Sequence, residues 1–90
     1  MKKDSGDYLM VFSSYSKALL IYNKLTKKGC KVNFISTPCE ITLGCSYSIR
    51  FNEESFEIVK SELKNNSIKA KSVYKIVLQD NKEAYQLIKG

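Results

Sequence analysis

The chain has 90 residues, 43% of them hydrophobic and 27% charged, enough for one domain with a single core and too apolar for intrinsic disorder. Lysine and arginine total 15 against nine acidic residues, a formal charge of +6, and there is no histidine. That absence removes the commonest general base at neutral pH, the Ser-His and Cys-His nucleophile pairs and most zinc sites, so a self-contained hydrolytic enzyme is not expected.

Residues 1–7 are polar and charged and read as a flexible N-terminal tail before a domain spanning 8–90. The apolar run YLMVF, Tyr8 to Phe12, is bounded by Gly6 and Asp7 on one side and by serines on the other, which predicts a buried strand. It is too short for a signal-peptide core or a membrane helix, so a cytoplasmic chain is expected. Ser13 or Ser14 caps the following helix, where Ala18, Leu19, Ile21, Tyr22 and Leu25 recur at helical spacing; Lys27, Lys28 and Gly29 provide a cationic last turn and a stop.

Val32, Phe34 and Ile35 predict a second strand, which Thr37 and Pro38 end because proline cannot donate to a ladder. A loop follows through Cys39 to Cys45. From Ser46 to Phe51 apolar and polar residues alternate strictly, Tyr47, Ile49 and Phe51 against Ser46, Ser48 and Arg50, which predicts a strand with one wet face turned away from the helices. Asn52 caps a second helix with Glu53 and Glu54 in its first turn and an apolar stripe of Phe56, Val59 and Leu63; Asn65 and Asn66 end it. Ile68 to Val77 returns to strand character.

The order β, α, β, β, α, β predicts an α+β ferredoxin-like domain, an antiparallel sheet with two helices on one face. Residues 79–90 are ambiguous. Asp80 with Glu83 suits a capping box for a short helix carrying Ala84, Leu87 and Ile88, whereas Asp80 and Asn81 equally suit a hairpin turn into a strand from Tyr85 to Ile88.

Positive charge can signal an anionic partner, but Lys17, Lys24, Lys27, Lys28, Lys60, Lys64, Lys69, Lys71 and Lys75 are spread over several elements, which reads as a solvated surface. Arg50 is the single arginine, although arginine is the preferred reader of phosphates and bases. The four glycines, at 6, 29, 44 and 90, are isolated from one another, so no dinucleotide or phosphate-binding loop is present. No cofactor is expected.

The three cysteines, Cys30, Cys39 and Cys45, are odd in number and should be free thiols. Their spacing, even with Glu40 added, matches no common zinc or iron-sulfur pattern, and no metal is expected. Attention therefore falls on TPCEITLGCSYSIRF, where Gly44 permits a close turn that delivers Cys45 to a loop-to-strand junction. There its thiolate could act as a nucleophile if local positive charge or exposed amides lowered its pKa; the alternative is a small buried hydrophobe, the ordinary fate of a free cysteine. Cys30, directly after Gly29, reads as structural.

This loop resembles a selenium- or sulfur-carrier-like family of mostly anaerobic bacteria, and the resemblance runs from the first strand through Val77. It rests on an opening like YLMVFSSYSKALLIYNKLTKKG, then Thr37 and Pro38, Ile41, Cys45, and the alternating strand through Ile49 to Phe51. The chain departs from the family pattern in two places: Ser46 follows Cys45 where relatives have glycine, and Cys39 stands where a basic residue is frequent.

The resemblance implies that Cys45 accepts sulfur or selenium from a donor enzyme as a persulfide or perselenide and passes it to an acceptor protein. In that scheme Thr37, Pro38 and Gly44 support the loop. Cys39 is either a second thiol that resolves the loaded state as a disulfide or an incidental loop residue.

Two rival readings from other classes are a nucleic-acid binder using aromatics on the open sheet face and a non-enzymatic module that dimerises there. The first is disfavoured because Ser46, Ser48 and Arg50 would line that face and no glycine- and aromatic-rich RNA-binding run is present. For the second, the first strand is apolar on both sides, so the C-terminal tail or a second copy should cover part of the other face; a homodimer is also compatible with the carrier reading.

Overall fold

The computed structural model describes residues 2–38, 41 and 46–89, with side chains for 6–38, 41 and 46–88. Along it run β1 (Lys2–Phe12), α1 (Tyr15–Lys27), β2 (Val32–Ser36), β3 (Tyr47–Asn52), a short 3₁₀ turn (Glu53–Ser55), α2 (Phe56–Asn65), β4 (Ser72–Gln79) and β5 (Lys82–Lys89). The strands form one antiparallel sheet in the order β2-β3-β1-β4-β5. The fold is therefore α+β, but the fifth strand makes its count and order depart from a plain βαββαβ domain.

Ser14 caps α1 as the sequence anticipates, with Lys17 N–H donating to its Oγ at 3.4 Å. Asn52 caps the 3₁₀ turn rather than α2, with Ser55 N–H donating to its Oδ1 at 3.2 Å, and α2 starts after Ser55 without a side-chain cap. Gly29 stops α1 with φ +83, a conformation that a side chain would strain. At the end of α2, Asn66 Nδ2 donates to the Glu62 carbonyl at 2.7 Å.

Both helices pack on one sheet face. Met10 and Phe12 of β1, Ile49 and Phe51 of β3 and Val73 of β4 meet Ala18, Ile21 and Leu25 of α1 and Val59 of α2 in one core cluster. Period-2 alternation sends Leu9 and Val11 to the opposite face, yet they are 0% and 1% exposed, and Ser48 and Ile76 are 0% exposed. The face expected to be wet is thus covered by the chain itself.

Arg50 shows how the covering is made. Its Nε donates to Asp7 Oδ2 at 2.9 Å, while Nη1 and Nη2 donate to Glu83 Oε1 and Oε2 at 3.0 and 2.8 Å. Glu83 lies on β5, two strands beyond β1, whereas Arg50 lies on β3. Arg50 lies opposite Leu87 through Leu9 and Tyr74, so in a flat sheet Glu83 would stand three strands across and four residues along, about 20 Å away at roughly 4.8 Å per strand and 3.3 Å per residue; the contact between them requires the sheet to curl toward this face. A bulge between Asp4 and Asp7, with Gly6 at φ +81, supplies the bend in β1.

One expectation is corrected here and one open alternative is decided. Residues 2–7, expected as a tail, pair with β4 as the first half of β1. In the C-terminal segment the hairpin prevails over the helix: Asp80 and Asn81 take φ of 53 and 64, the left-handed pair that a two-residue hairpin turn requires. The physical reason for both is the same: β4 has two edges, and residues 2–7 pair along one while β5 pairs along the other.

No described helix is long and apolar enough to cross a membrane.

Candidate functional site

β2 and β3 converge on the root of the loop that the sequence singles out. Ser36 pairs with Tyr47, and the ladder continues one step further as Thr37 N–H donates to the Ser46 carbonyl at 3.1 Å. The Thr37 and Ser48 hydroxyls share a hydrogen bond of 2.6 Å, which ties the last residue before Pro38 to the covered face of β3. Ile41 N–H donates to the Pro38 carbonyl at 3.0 Å. Thr37 and Pro38 thus form the β2 side of the loop root. Cys39, Glu40, Gly44 and Cys45 lie outside the described residues.

Ser46, the residue joined to Cys45, is only 7% exposed, and its Oγ is buried without a hydrogen-bond partner among the described residues. Such a hydroxyl is costly to leave unpaired, so the β3 root of the loop carries a polar group with unused bonding capacity.

The register gathers other elements at this end of the sheet. Phe12 pairs with Tyr47, so β1 leaves the sheet and α1 begins beside the residues flanking the loop. Lys71 N–H donates to the Val11 carbonyl at 2.7 Å and brings the start of β4 to the same end. Tyr15, in the first turn of α1, stacks edge-on against Phe34 and Tyr47 with ring centroids 5.7 and 4.9 Å away. Tyr22 closes on Phe34 at 5.6 Å. These rings fix the N-terminus of α1 to β2 and β3 immediately beneath the loop root.

The electrostatics of this end are positive. The first turn of α1 contains no acidic residue, and its free amides give the partial positive charge of a helix N-terminus. Lys17, Lys69 and Lys71 are exposed here, and no described residue of the segments 13–17, 36–38, 46–47 and 69–72 is acidic. The acidic side chains with described partners lie elsewhere: Asp7 and Glu83 hold Arg50, Glu62 is paired with Lys28 at 2.9 Å, and Glu57 lies 3.9 Å from Lys60 on α2. Hydrogen bonds from Arg50 hold the Glu83 carboxyl below its usual range and keep the guanidinium still more firmly protonated.

Cys30 stands apart from this site. It is a half-buried free thiol packed against the core at the start of β2, the opposite end of that strand from Thr37. It lines a shallow cleft together with Asn52 at the end of β3, Ser55 of the 3₁₀ turn and Ile58 of α2.

Sequence reasoning missed the aromatic clamp of Tyr15, Phe34 and Tyr47 and the charge cluster of Asp7, Arg50 and Glu83. The solitary arginine on the polar side of an alternating strand was a usable signal for the latter. Nothing local pointed to its partners, which are 43 and 33 residues away.

No match was found among curated proteins or among solved structures. Residues 7–75, the segment from the β1 bulge to the middle of β4, match the family described as "Putative Se/S carrier protein-like", and the chain belongs to that family.

Proposed function

We propose that the protein carries sulfur or selenium on the thiolate of Cys45. The observation that carries this reading is the β-sheet register: the residue after Cys45 sits beside the N-terminus of α1, at an end where the described charges are all positive. A helix N-terminus and nearby ammonium groups favour a thiolate over a thiol, and the thiolate is the reactive form. Family membership supports the same chemistry.

The reaction needs no external oxidant. Cys45 thiolate attacks the outer sulfur of a donor persulfide, a new S–S bond forms to Cys45, the donor's S–S bond breaks, and the donor leaves as a thiolate. The proton on the transferred sulfur moves with it. Delivery reverses these roles with an acceptor nucleophile. If Cys39 instead attacks Cys45 Sγ, a Cys39–Cys45 disulfide forms and hydrosulfide departs, so Cys39 would discharge the carrier. Selenium follows the same displacement as a perselenide.

The architecture reads as a ferredoxin-like core extended by a hairpin strand, since β3 lies between β1 and β2 in the manner of a split βαβ unit. The added strand sends Glu83 to Arg50 on the face on which a base-stacking or dimerising module would depend.

The test is intact-mass thiol labelling across pH on the wild type, Cys39→Ser and Cys45→Ser, followed by incubation with a persulfide donor. The reading requires that Cys45 label fastest, with an apparent pKa below the free value of about 8.5, and that mass gain of one sulfur vanish in Cys45→Ser. Sulfur gain that persists in Cys45→Ser, or a Cys45 silent until denaturant is added, would overturn it.

A further inference from the structure

A second feature lies on the helix side of the sheet, between α2 and the β4–β5 hairpin. It is an open cleft of about 570 Å³, within the range of roughly 300–1,000 Å³ typical of small-ligand sites. Met10, Ile68 and Val73 form its floor, and Phe56, Leu63 and Ile88 its walls. Ile88 is 51% exposed, although a β-strand residue of that size normally turns into a core.

Four lysines ring this apolar surface. Lys60 and Lys64 stand one turn apart on α2, and Lys69 and Lys71 project from the segment leading into β4. The Lys60 ammonium sits 5.4 Å over the Phe56 ring and 3.9 Å from Glu57. Lys64, Lys69 and Lys71 have no ion-pair partner among the described residues, and no described lining residue is acidic. An apolar bed with unneutralised cations on its rim complements a molecule that is apolar at one end and anionic at the other.

We propose that this cleft binds a single-chain amphiphilic anion, an alkyl tail on the Phe56, Leu63 and Ile88 surface with its phosphate or carboxylate among Lys64, Lys69 and Lys71. Both halves of such a ligand find a counterpart, whereas inorganic phosphate finds only the rim and a neutral amphiphile only the floor. A second copy of the chain is a poor occupant, because two lysine rims on molecules of charge +6 would repel each other. The cleft shares Lys69 and Lys71 with the positive end of the sheet described above, but the proposal does not rest on the thiol chemistry and its test reads binding alone.

The probe is decyl phosphate, titrated calorimetrically into the full chain below its micellar concentration, beside inorganic phosphate, decyl maltoside and anionic phospholipid vesicles. We expect saturable one-to-one binding that tightens several-fold on lengthening the chain to dodecyl phosphate and is at least ten-fold weaker for inorganic phosphate and for the maltoside. The double variant Lys64→Glu, Lys71→Glu should weaken it at least ten-fold, Ile88→Glu, at an exposed position that leaves the core intact, should do the same, and Lys27→Glu on α1 should not.

No saturable binding, equal binding of the maltoside, or unchanged affinity in the charge-reversed and Ile88→Glu variants would each overturn the proposal. So would binding to vesicles alone, which would mark a membrane-surface patch, or a dimer that the charge reversals dissolve.

Discussion

Leu9→Ala tests whether the curled hairpin covers the second sheet face in solution. Leu9 is 0% exposed on the side of β1 away from the helices. Truncation removes three carbons, about 2.4 kcal/mol at roughly 0.8 kcal/mol each, and the cavity left behind raises the cost to about 3–4 kcal/mol. A chain of this length has about 5–13 kcal/mol of stability at roughly 0.05–0.15 kcal/mol per residue, so the loss is a large fraction.

In urea, with a slope of about 1–1.5 kcal/mol/M for a small domain, the midpoint should fall by about 2–4 M. The comparison is Leu20→Ala on α1, 43% exposed, where alanine's helix propensity offsets the small loss and the shift should stay within about 0.5 kcal/mol. Far-ultraviolet circular dichroism through a urea titration reads both. If the two variants unfold within about 1 kcal/mol of each other, Leu9 is not buried in solution and the covering hairpin is wrong.

Removing the clamp that closes that face should have a smaller, pH-dependent effect. Arg50→Gln should cost about 1 kcal/mol at neutral pH, because its partners are partly solvated. Arg50 depresses the Glu83 pKa, so the pair's contribution is present above the unfolded value near 4.3 and disappears as pH falls through the depressed one; the wild-type advantage should narrow below about pH 4. A gap that is constant from pH 7 to pH 3 would assign the effect to packing instead.

Asn52→Ala should cost about 1 kcal/mol and Ser14→Ala less, since the Ser14 cap bond is the longer at 3.4 Å against 3.2 Å; equal losses would refute the ranking. At the hairpin turn, Asn81→Gly should be neutral or stabilising by up to about 1 kcal/mol in thermal unfolding, and Asn81→Val destabilising, because φ is 64 there. Lys28→Met should destabilise by about 1–3 kcal/mol by leaving the Glu62 carboxylate, 8% exposed, without its cation. A double variant with Glu62→Leu should recover most of that loss.

Local chemistry was enough to determine the elements that punctuate themselves. Ser14 and Asn52 caps, the Gly29 stop and the β2 end at Thr37 and Pro38 were all legible, because a cap or a breaker acts within three or four residues of itself. The same held for the apolar sides of α1, α2 and β3, since helical and strand periods place those residues before any partner is known. The composition, lacking histidine, and the motif around Cys45 pointed to the family and to the loop.

What tertiary structure decided was the fate of polar and ambiguous residues. Asp80 and Asn81 could serve a helix cap or a hairpin, and only the exposed edge of β4 selected the hairpin. The alternation of β3 showed which residues share a face but could not show that Ser48 and Arg50 would be roofed over. That depended on a bulge at Gly6 and on Glu83, residues far apart in the chain and brought together by sheet curl. Long-range pairing has no local sequence signature, because its free energy comes from contacts that exist only after the loops have closed.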